Sequence, residues 1–178
     1  MARYTTYDSL RSINKDLNES LIIANAVKKT HKNVFLSHSS KDKEILPAVI
    51  KILENHGGSV YIDKDDSSLP KTVTVKTAEI LRATINNCKR MVLLVTSNTK
   101  DSLWIPWELG LGDGEISNQN VALFPVTKTS NESYWSEQEY LGLYKRIIWS
   151  KFKNKSNKEW MVWDHHNNTA TALKSWLL

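Results

Sequence analysis

One glutamate, Glu108, stands four residues after a tryptophan, Trp104, within the segment 102–109, which reads SLWIPWEL. Residues four apart share a face of a helix, so this spacing predicts that Trp104 and Glu108 lie side by side. A single carboxylate beside large aromatic rings can hold a sugar whose anomeric carbon is becoming cationic. An amphipathic helix with its tryptophan inward and its glutamate outward explains the same pattern, so the segment alone leaves both interpretations open.

The composition is that of an ordinary globular protein. The chain has 178 residues, 40% hydrophobic and 24% charged, which is enough for one domain with a buried core. A single cysteine, Cys88, at the expected buried end of a helix, excludes an internal disulfide and indicates no reactive thiol. Spacings typical of Cys/His metal sites do not occur, so no metal is expected.

The charge and the hydropathy narrow the range of partners. The net charge of +5 and the pI of about 9.2 favour phosphate-bearing partners in general. The lysines and arginines are scattered among acids, without a basic stripe or interleaved aromatics, so no nucleic-acid partner is expected. No apolar run reaches the length of a membrane span and no signal peptide is recognised, which predicts a cytoplasmic protein with no membrane partner.

Apolar runs and helical periodicity alternate along the chain. The runs typical of buried parallel strands lie at 33–38, 59–63, 90–96, 121–126 and 146–149, the last as an edge strand. Helices are predicted at 8–30, 42–55, 73–86, 104–111 and 169–178. Asp8 or Ser9 is the expected N-cap of the first helix, and Thr72 that of the third.

This alternation predicts an α/β fold. Five strands in one domain suit a flavodoxin-like parallel sheet of order 2-1-3-4-5, with helices on both faces and an N-terminal helix added. Residues 1–30 are predicted to be a helical extension, and residues 31–178 the domain itself. Ligands of such sheets bind beyond the carboxyl ends of strands one and three, which are residues 37–40 and 96–98 here. Glu108 follows the second of these ends.

Several chemistries common at this position do not fit. The acidic cluster of a phosphorelay receiver is missing, and the loop after strand one lacks the glycine of a flavin phosphate cradle. No dinucleotide fingerprint, P-loop or G-x-S-x-G elbow occurs. His38 is therefore interpreted as a polar residue that lines the loop rather than as the base of a serine hydrolase.

Three segments in order resemble the Toll/interleukin-1 receptor (TIR) domain family. The run VFLSHSSKD at 34–42 resembles the first box of the family in its bacterial form. The run VYID at 60–63, with the loop through Leu69 and Pro70, is similar to the second strand and the BB loop. The strand at 92–97, followed by Ser102, Trp104 and Glu108, is similar to the third box and the catalytic-glutamate motif.

The resemblance implies cleavage of the nicotinamide–ribose bond of NAD+, which is then the substrate, with no cofactor. It implies that Glu108 is catalytic. The expected substrate-binding residues are Phe35, Ser37, His38, Ser39, Asp63 and Trp104. One carboxylate suffices because nicotinamide leaves a cationic ring as a neutral molecule, so the second acid of ordinary glycosidases is unnecessary.

The resemblance also carries biological expectations. Bacterial proteins of this kind make the signal in antiphage systems such as Thoeris, where an NAD-derived, cyclic ADP-ribose-like messenger reaches a separate effector protein. Self-association through TIR–TIR contacts, involving the BB loop, is expected as well. Two alternatives stay open: a plain NAD-depleting hydrolase, and a non-catalytic TIR–TIR scaffold or adaptor.

Overall fold

The computed structural model describes residues 4–28, 30–63, 74–102, 104–129 and 139–178. Apart from Asp63, the BB loop predicted from Asp63 to Leu69 lies outside these residues. The strands are β1 Thr5–Thr6, β2 Val34–Ser37, β3 Val60–Tyr61, β4 Arg90–Val95, β5 Val121–Thr127, β6 Lys145–Lys151, β7 Lys158–Asp164 and β8 Thr169–Ala172. The α-helices are α1 Tyr7–Asn14, α2 Glu19–Ala26, α3 Leu46–Asn55, α4 Val75–Cys88, α5 Trp104–Ile116 and α6 Leu173–Leu177.

The described strands form one sheet in the order β3-β2-β4-β5-β6-β7-β8, with β1 paired to β5. From β3 to β6 every neighbouring pair is parallel. This part of the sheet confirms the predicted 2-1-3-4-5 order. β4 is apolar and buried from Met91 to Val95, as expected for a strand covered on both faces.

Helices cover both faces of the sheet, as predicted. One core lies between the sheet and α1, α2, α3 and α6, and contains Leu10, Leu53 and Trp176. A second core lies under α4 and α5, and contains Leu81 and Leu109. The turn after α3 requires Gly57, whose φ of 95° is unfavourable for residues with a side chain.

The N-terminal region differs from the single helix predicted over residues 8–30. It contains β1 and two short helices, because the Asn18 side chain accepts a hydrogen bond from the Leu21 amide and starts α2 anew. The N-cap of α1 is Thr6 rather than Asp8 or Ser9. Although β1 pairs with β5 and α1 packs against α3, the boundary at residue 30 stays a prediction.

Two helix starts lie later than predicted. α3 begins at Leu46, with Pro47 in its first turn, and a short 3₁₀ helix at Ser40–Asp42 precedes it. α4 begins at Val75, because Thr74 rather than Thr72 forms the capping box with Thr77.

The C-terminal part of the sheet also corrects the prediction. β6 is not an edge strand, because β7 pairs with it in antiparallel register and β8 pairs with β7. The predicted helix over 169–178 is a strand and then the five-residue α6. Threonine alternating with alanine at 169–172 suits a strand once a partner is present, whereas the local sequence alone does not reveal that partner.

Candidate active site

The carboxyl end of β2 carries a buried polar contact. Ser37, the last residue of β2, is fully buried, and its hydroxyl donates a short hydrogen bond to Oε2 of Glu108. Glu108 lies on α5 and is only 1% exposed. The interpretation in which this glutamate points outward from an amphipathic helix is therefore wrong.

The close approach of α5 to the sheet explains this burial. A side chain at Gly112 would collide with the sulfur of Met91 on β4, so glycine lets the helix lie against the strand. Ile105 and Leu109 fill the core on the same side of the helix. Glu108 is thus held by a helix face that is otherwise apolar.

Aromatic residues accompany Ser37 and Glu108 on the elements that carry them. Phe35, two residues before Ser37 on β2, is fully buried and lies 5.8 Å from the ring of Tyr61 on β3. Trp104, in the first turn of α5, is half-buried and meets Trp107 edge-to-face at 5.3 Å. Since residues two apart on a strand share a face, Phe35 and Ser37 both point toward the α5 side of the sheet.

The remaining predicted site residues lie at the same edge of the sheet. His38 is fully buried, with Nδ1 3.4 Å from the carbonyl oxygen of Leu36. Ser39 is nearly buried, and its hydroxyl accepts a hydrogen bond from the Lys41 amide. Asp63, 7% exposed, follows β3, whose Tyr61 is level with Phe35 of β2. Ser37 is in direct contact with Glu108 through its hydroxyl.

One buried acid, Asp42, was missed as a site residue, because the sequence pattern assigned it to the start of a helix. Its carboxylate accepts hydrogen bonds from the Thr96 hydroxyl at 2.9 and 3.1 Å and from Nδ2 of Asn98 at 2.6 Å. These bonds tie the loop after β2 to the loop after β4, which are the two loops predicted to border the crevice. The sequence did contain one indication of this role, because Asp42 follows the end of β2 by only a few residues.

The N-terminal helix α1 also contacts this edge. The Tyr7 hydroxyl bonds with Thr96 near Asp42, and burial raises the pKa of Tyr7 above its ordinary value. Arg11 binds both carboxylate oxygens of Glu44, at 2.5 and 3.2 Å, which lowers the pKa of Glu44. The Asn14 amide donates to the backbone carbonyl of Glu44. α1 therefore braces the loop that follows β2.

This geometry suits electrostatic stabilisation better than proton transfer between paired groups. A carboxylate at a buried position interacts strongly with a positive charge that develops beside it. The described residues contain no cluster of three or more His, Cys, Asp or Glu side chains placed to hold a metal ion. Within the same residues, no helix is long and apolar enough to cross a bilayer.

Comparison with known proteins agrees with this arrangement. The sequence profile of the TIR domain family matches residues 34–162. The chain is 33% identical, over 96% of its length and 93% of the relative's, to a Bacillus cereus (strain MSX-D12) protein named "Probable 3' cyclic ADP-D-ribose synthase ThsB'". It is 32% identical, over 53% of its length and 26% of the relative's, to a Cytobacillus dafuensis protein named "Putative cyclic ADP-D-ribose synthase TIR2". The chain therefore belongs to the TIR domain family.

Proposed function

We propose that this TIR domain cleaves the nicotinamide–ribose bond of NAD+ and converts the remainder into a cyclic ADP-ribose. The observation that carries the proposal is the buried carboxylate of Glu108, fixed by the Ser37 hydroxyl at the carboxyl end of the sheet. The names of both relatives describe cyclic ADP-ribose synthesis, which supports this reaction over simple NAD+ depletion.

In the proposed reaction the C1–N bond between ribose and nicotinamide breaks, and its electron pair stays on the ring nitrogen. Nicotinamide leaves as a neutral molecule, and the positive charge passes to the ribose as an oxocarbenium ion. Glu108 stabilises this charge, because a carboxylate held in place before the reaction needs no reorganisation as the charge develops. No second protein acid is required, since the leaving group accepts no proton.

The other predicted residues bind the substrate in this proposal. Phe35, Ser37 and Ser39 line the nicotinamide side, and Trp104 packs against the ribose or the nicotinamide. His38 and Asp63 border the same crevice from the loop after β2 and the end of β3. Ser37 has a second role as a positioning residue, because its hydrogen bond sets the orientation of the Glu108 carboxylate.

The acceptor of the ribosyl cation decides the product. A hydroxyl or the adenine of the same molecule closes a ring and loses its proton, whereas water gives ADP-ribose. Cyclisation requires that the crevice exclude water and fold the dinucleotide back on itself. The product would be a messenger that activates a separate effector protein in bacterial antiphage defence, in the manner of a Thoeris system.

The proposal places the reaction in the cytoplasm and involves NAD+ with no added cofactor. The single cysteine fits a reducing compartment. Its thiol, at the end of α4, is 1% exposed, and burial raises the pKa of Cys88 to about 12. Cys88 is therefore a packing residue in this proposal and takes no part in catalysis.

The deciding experiment compares NAD+ turnover by the wild type and by Glu108→Gln, using mass-resolved chromatography. Glu115→Gln is the matched control, since Glu115 lies on the same helix in a partly exposed ion pair with Arg82. We expect Glu108→Gln to lose activity by on the order of 10²–10³-fold, and Glu115→Gln to keep it. A folded Glu108→Gln protein with full activity would disprove the role of this carboxylate.

The products of the same experiment separate the alternatives. A cyclic isomer of ADP-ribose supports the synthase, and linear ADP-ribose alone replaces it with a hydrolase. If concentrated wild-type protein releases no nicotinamide, even with infected-cell lysate added, the chain is a TIR–TIR scaffold and the proposed reaction is wrong.

Self-association is part of the proposal, since a second protomer's BB loop would complete the site. We expect the activity per molecule to rise with protein concentration, in parallel with the mass measured by light scattering. Full specific activity in a dilute, strictly monomeric sample would show that one protomer is sufficient.

A further inference from the structure

The antiparallel end of the sheet contains a groove that the proposed reaction does not use. Its volume is about 830 Å³, and residues of β6, β7 and β8 and of their connecting segments line it. Ile148, Met161 and Ala172 lie side by side across these strands and form an apolar floor. Pockets that bind small ligands in other proteins have volumes of roughly 300–1,000 Å³, so this groove is large enough for such a ligand.

The two ends of the groove differ in chemistry. The row that contains Trp163 and Ala170 is four residues away from Ser150 in the register of β6 and β7, which corresponds to about 13 Å. One end therefore carries an indole ring with polar atoms from Asn168 and Thr169, and the other carries the loop after β6. An elongated ligand with unlike ends matches this layout.

The loop after β6 makes the second end basic. Lys151, Lys153 and Lys155 line the groove, and among its described lining residues none is acidic. Lys155 bonds with Glu159 at 2.7 Å and lies 5.2 Å from the ring centre of Phe152. Lys151 and Lys153 are exposed at the rim. Their charges favour an anionic group, and Ser150 and Asn154 add neutral hydrogen-bonding groups beside them.

The indole end suits a planar ring. Trp163 is half-buried and lines the groove, with the guanidinium of Arg146 5.5 Å from its ring centre. Arg146 is held in turn by the Tyr4 hydroxyl at 3.0 Å. Any of the nucleobases can stack on such an aromatic surface, because each has a flat π-face.

We propose that this groove is a second ligand site, which binds a nucleoside diphosphate with its base at Trp163 and its phosphates at the basic loop that follows β6. A small ligand is favoured over a polynucleotide because the lysines and arginines are scattered among acids along the sequence and form no basic stripe. The site lies on the opposite side of β5 from β2, which carries Ser37, and its existence does not depend on the proposed NAD+ reaction.

The test is an NMR titration of the ¹⁵N-labelled full chain with ADP, following the indole resonance of Trp163. Trp163→Phe identifies that resonance by its loss. The double variant Lys151→Glu/Lys153→Glu reverses the two rim charges. Lys15→Glu/Lys28→Glu is the matched control, with the same change in net charge just after α1 and α2, which cover the other sheet face.

We expect ADP to shift the Trp163 resonance in the wild type and in the control. In Lys151→Glu/Lys153→Glu the affinity should fall at least about tenfold, because charge-assisted contacts to phosphate are lost. Adenosine and inorganic pyrophosphate should each bind more weakly than ADP, since each fills one end. Circular dichroism verifies that the variants are folded.

Three results would overturn the proposal. A Trp163 resonance that stays fixed while other residues shift would place ADP elsewhere, such as the crevice near Glu108. An equal loss of affinity in both double variants would mean unspecific attraction to a basic protein. Stronger perturbation of Trp163 by a single-stranded oligonucleotide than by ADP would assign the groove to nucleic acid instead.

Discussion

The crevice at the end of β2 and the groove along β6 to β8 both use charged side chains, but they hold them differently. In the crevice, Glu108 and Asp42 are 1% and 2% exposed, and each accepts a hydrogen bond from a buried hydroxyl. In the groove, Lys151 and Lys153 are exposed at the rim. The first region holds its acids away from water, and the second has exposed charges in contact with it.

This difference determines what each region can do. A carboxylate held at a buried position interacts strongly with one neighbouring atom, so small displacements matter and catalysis is feasible. Exposed lysines are screened by salt and act together on a whole phosphate group. Such a surface can bind a phosphate group even when its side chains change position. We therefore expect single substitutions to have large effects in the crevice and small effects beside the groove.

After Glu108→Gln, the largest effect is expected for Ser37→Ala, which removes the hydrogen bond that orients Glu108. Activity should fall by on the order of 10²-fold, in kcat more than in KM, because binding surfaces remain while the carboxylate is misplaced. Steady-state kinetics of nicotinamide release measures this. Ser37→Thr keeps a hydroxyl at the position and should recover part of the loss. Equal kcat for Ser37→Ala and wild type would contradict the positioning role.

A smaller loss of activity is expected for Asp42→Asn. This substitution weakens the hydrogen bonds that join the loop after β2 to the loop after β4. The amide has one acceptor oxygen where the carboxylate has two, and it lacks the charge that strengthens the bonds from Thr96 and Asn98, so the free energy of unfolding should fall by about 2 kcal/mol. Activity should fall about tenfold, because the loop that follows Ser37 is loosened. Urea unfolding and kinetics measure the two changes. Asp8→Asn, at an exposed position on α1, is the control.

The groove end of the molecule should respond to acid. Burial, and then the charges of Arg146 and His166, lower the pKa of His165 from its ordinary value of 6.5, while Asp164 opposes this. Above pH 6.5, His165 is neutral in the folded and in the unfolded protein, so its protonation takes no stability from the folded state. As the pH falls through the lowered pKa, the unfolded chain binds the proton first and stability is lost.

Thermal unfolding at pH 7.5 and at pH 5.5 tests this histidine. We expect His165→Gln to lose less stability than the wild type on acidification. His31→Asn is the control, since His31 lies in a turn at φ 57°, which asparagine tolerates. An identical pH dependence in His165→Gln and wild type would refute the assignment.

The smallest effect is expected for Glu159→Gln, which breaks the ion pair with Lys155. Both side chains are partly exposed, at 31% and 57%, so the free energy of unfolding should change by less than about 0.5 kcal/mol. ADP should bind about twofold more tightly, because a negative charge beside the groove is removed. Calorimetric titration and urea unfolding measure the two quantities. A loss of more than about 2 kcal/mol would show that the groove is as rigid as the crevice.

The sequence was sufficient for the parallel half of the fold. The apolar runs at 33–38, 90–96 and 121–126 predicted β2, β4 and β5, because strands covered on both faces have continuous apolar sequences. The carboxyl ends of β2 and β4 were predicted to meet, and Asp42 now joins their loops. The sequence also showed that Glu108 follows the carboxyl end of β4.

The antiparallel half was not predictable in the same way. β7 and β8 depend on pairing with β6, and a sequence such as TATA at 169–172 becomes a strand only beside a partner. Asp42 looked like the start of a helix, and its acceptor role depends on Thr96 and Asn98, more than fifty residues away. Likewise, the break between α1 and α2 depends on a cap by Asn18 that periodicity does not reveal.

The sequence by itself determined the alternation of strands and helices, the TIR family and the candidate carboxylate, because periodicity and local motifs are properties of neighbouring residues. Only the tertiary structure decided that Glu108 points inward to Ser37, that α1 braces the loop after β2, and that β6 to β8 enclose a basic groove. These are contacts between residues distant in the chain, whose free energy exists only after the sheet has brought them together.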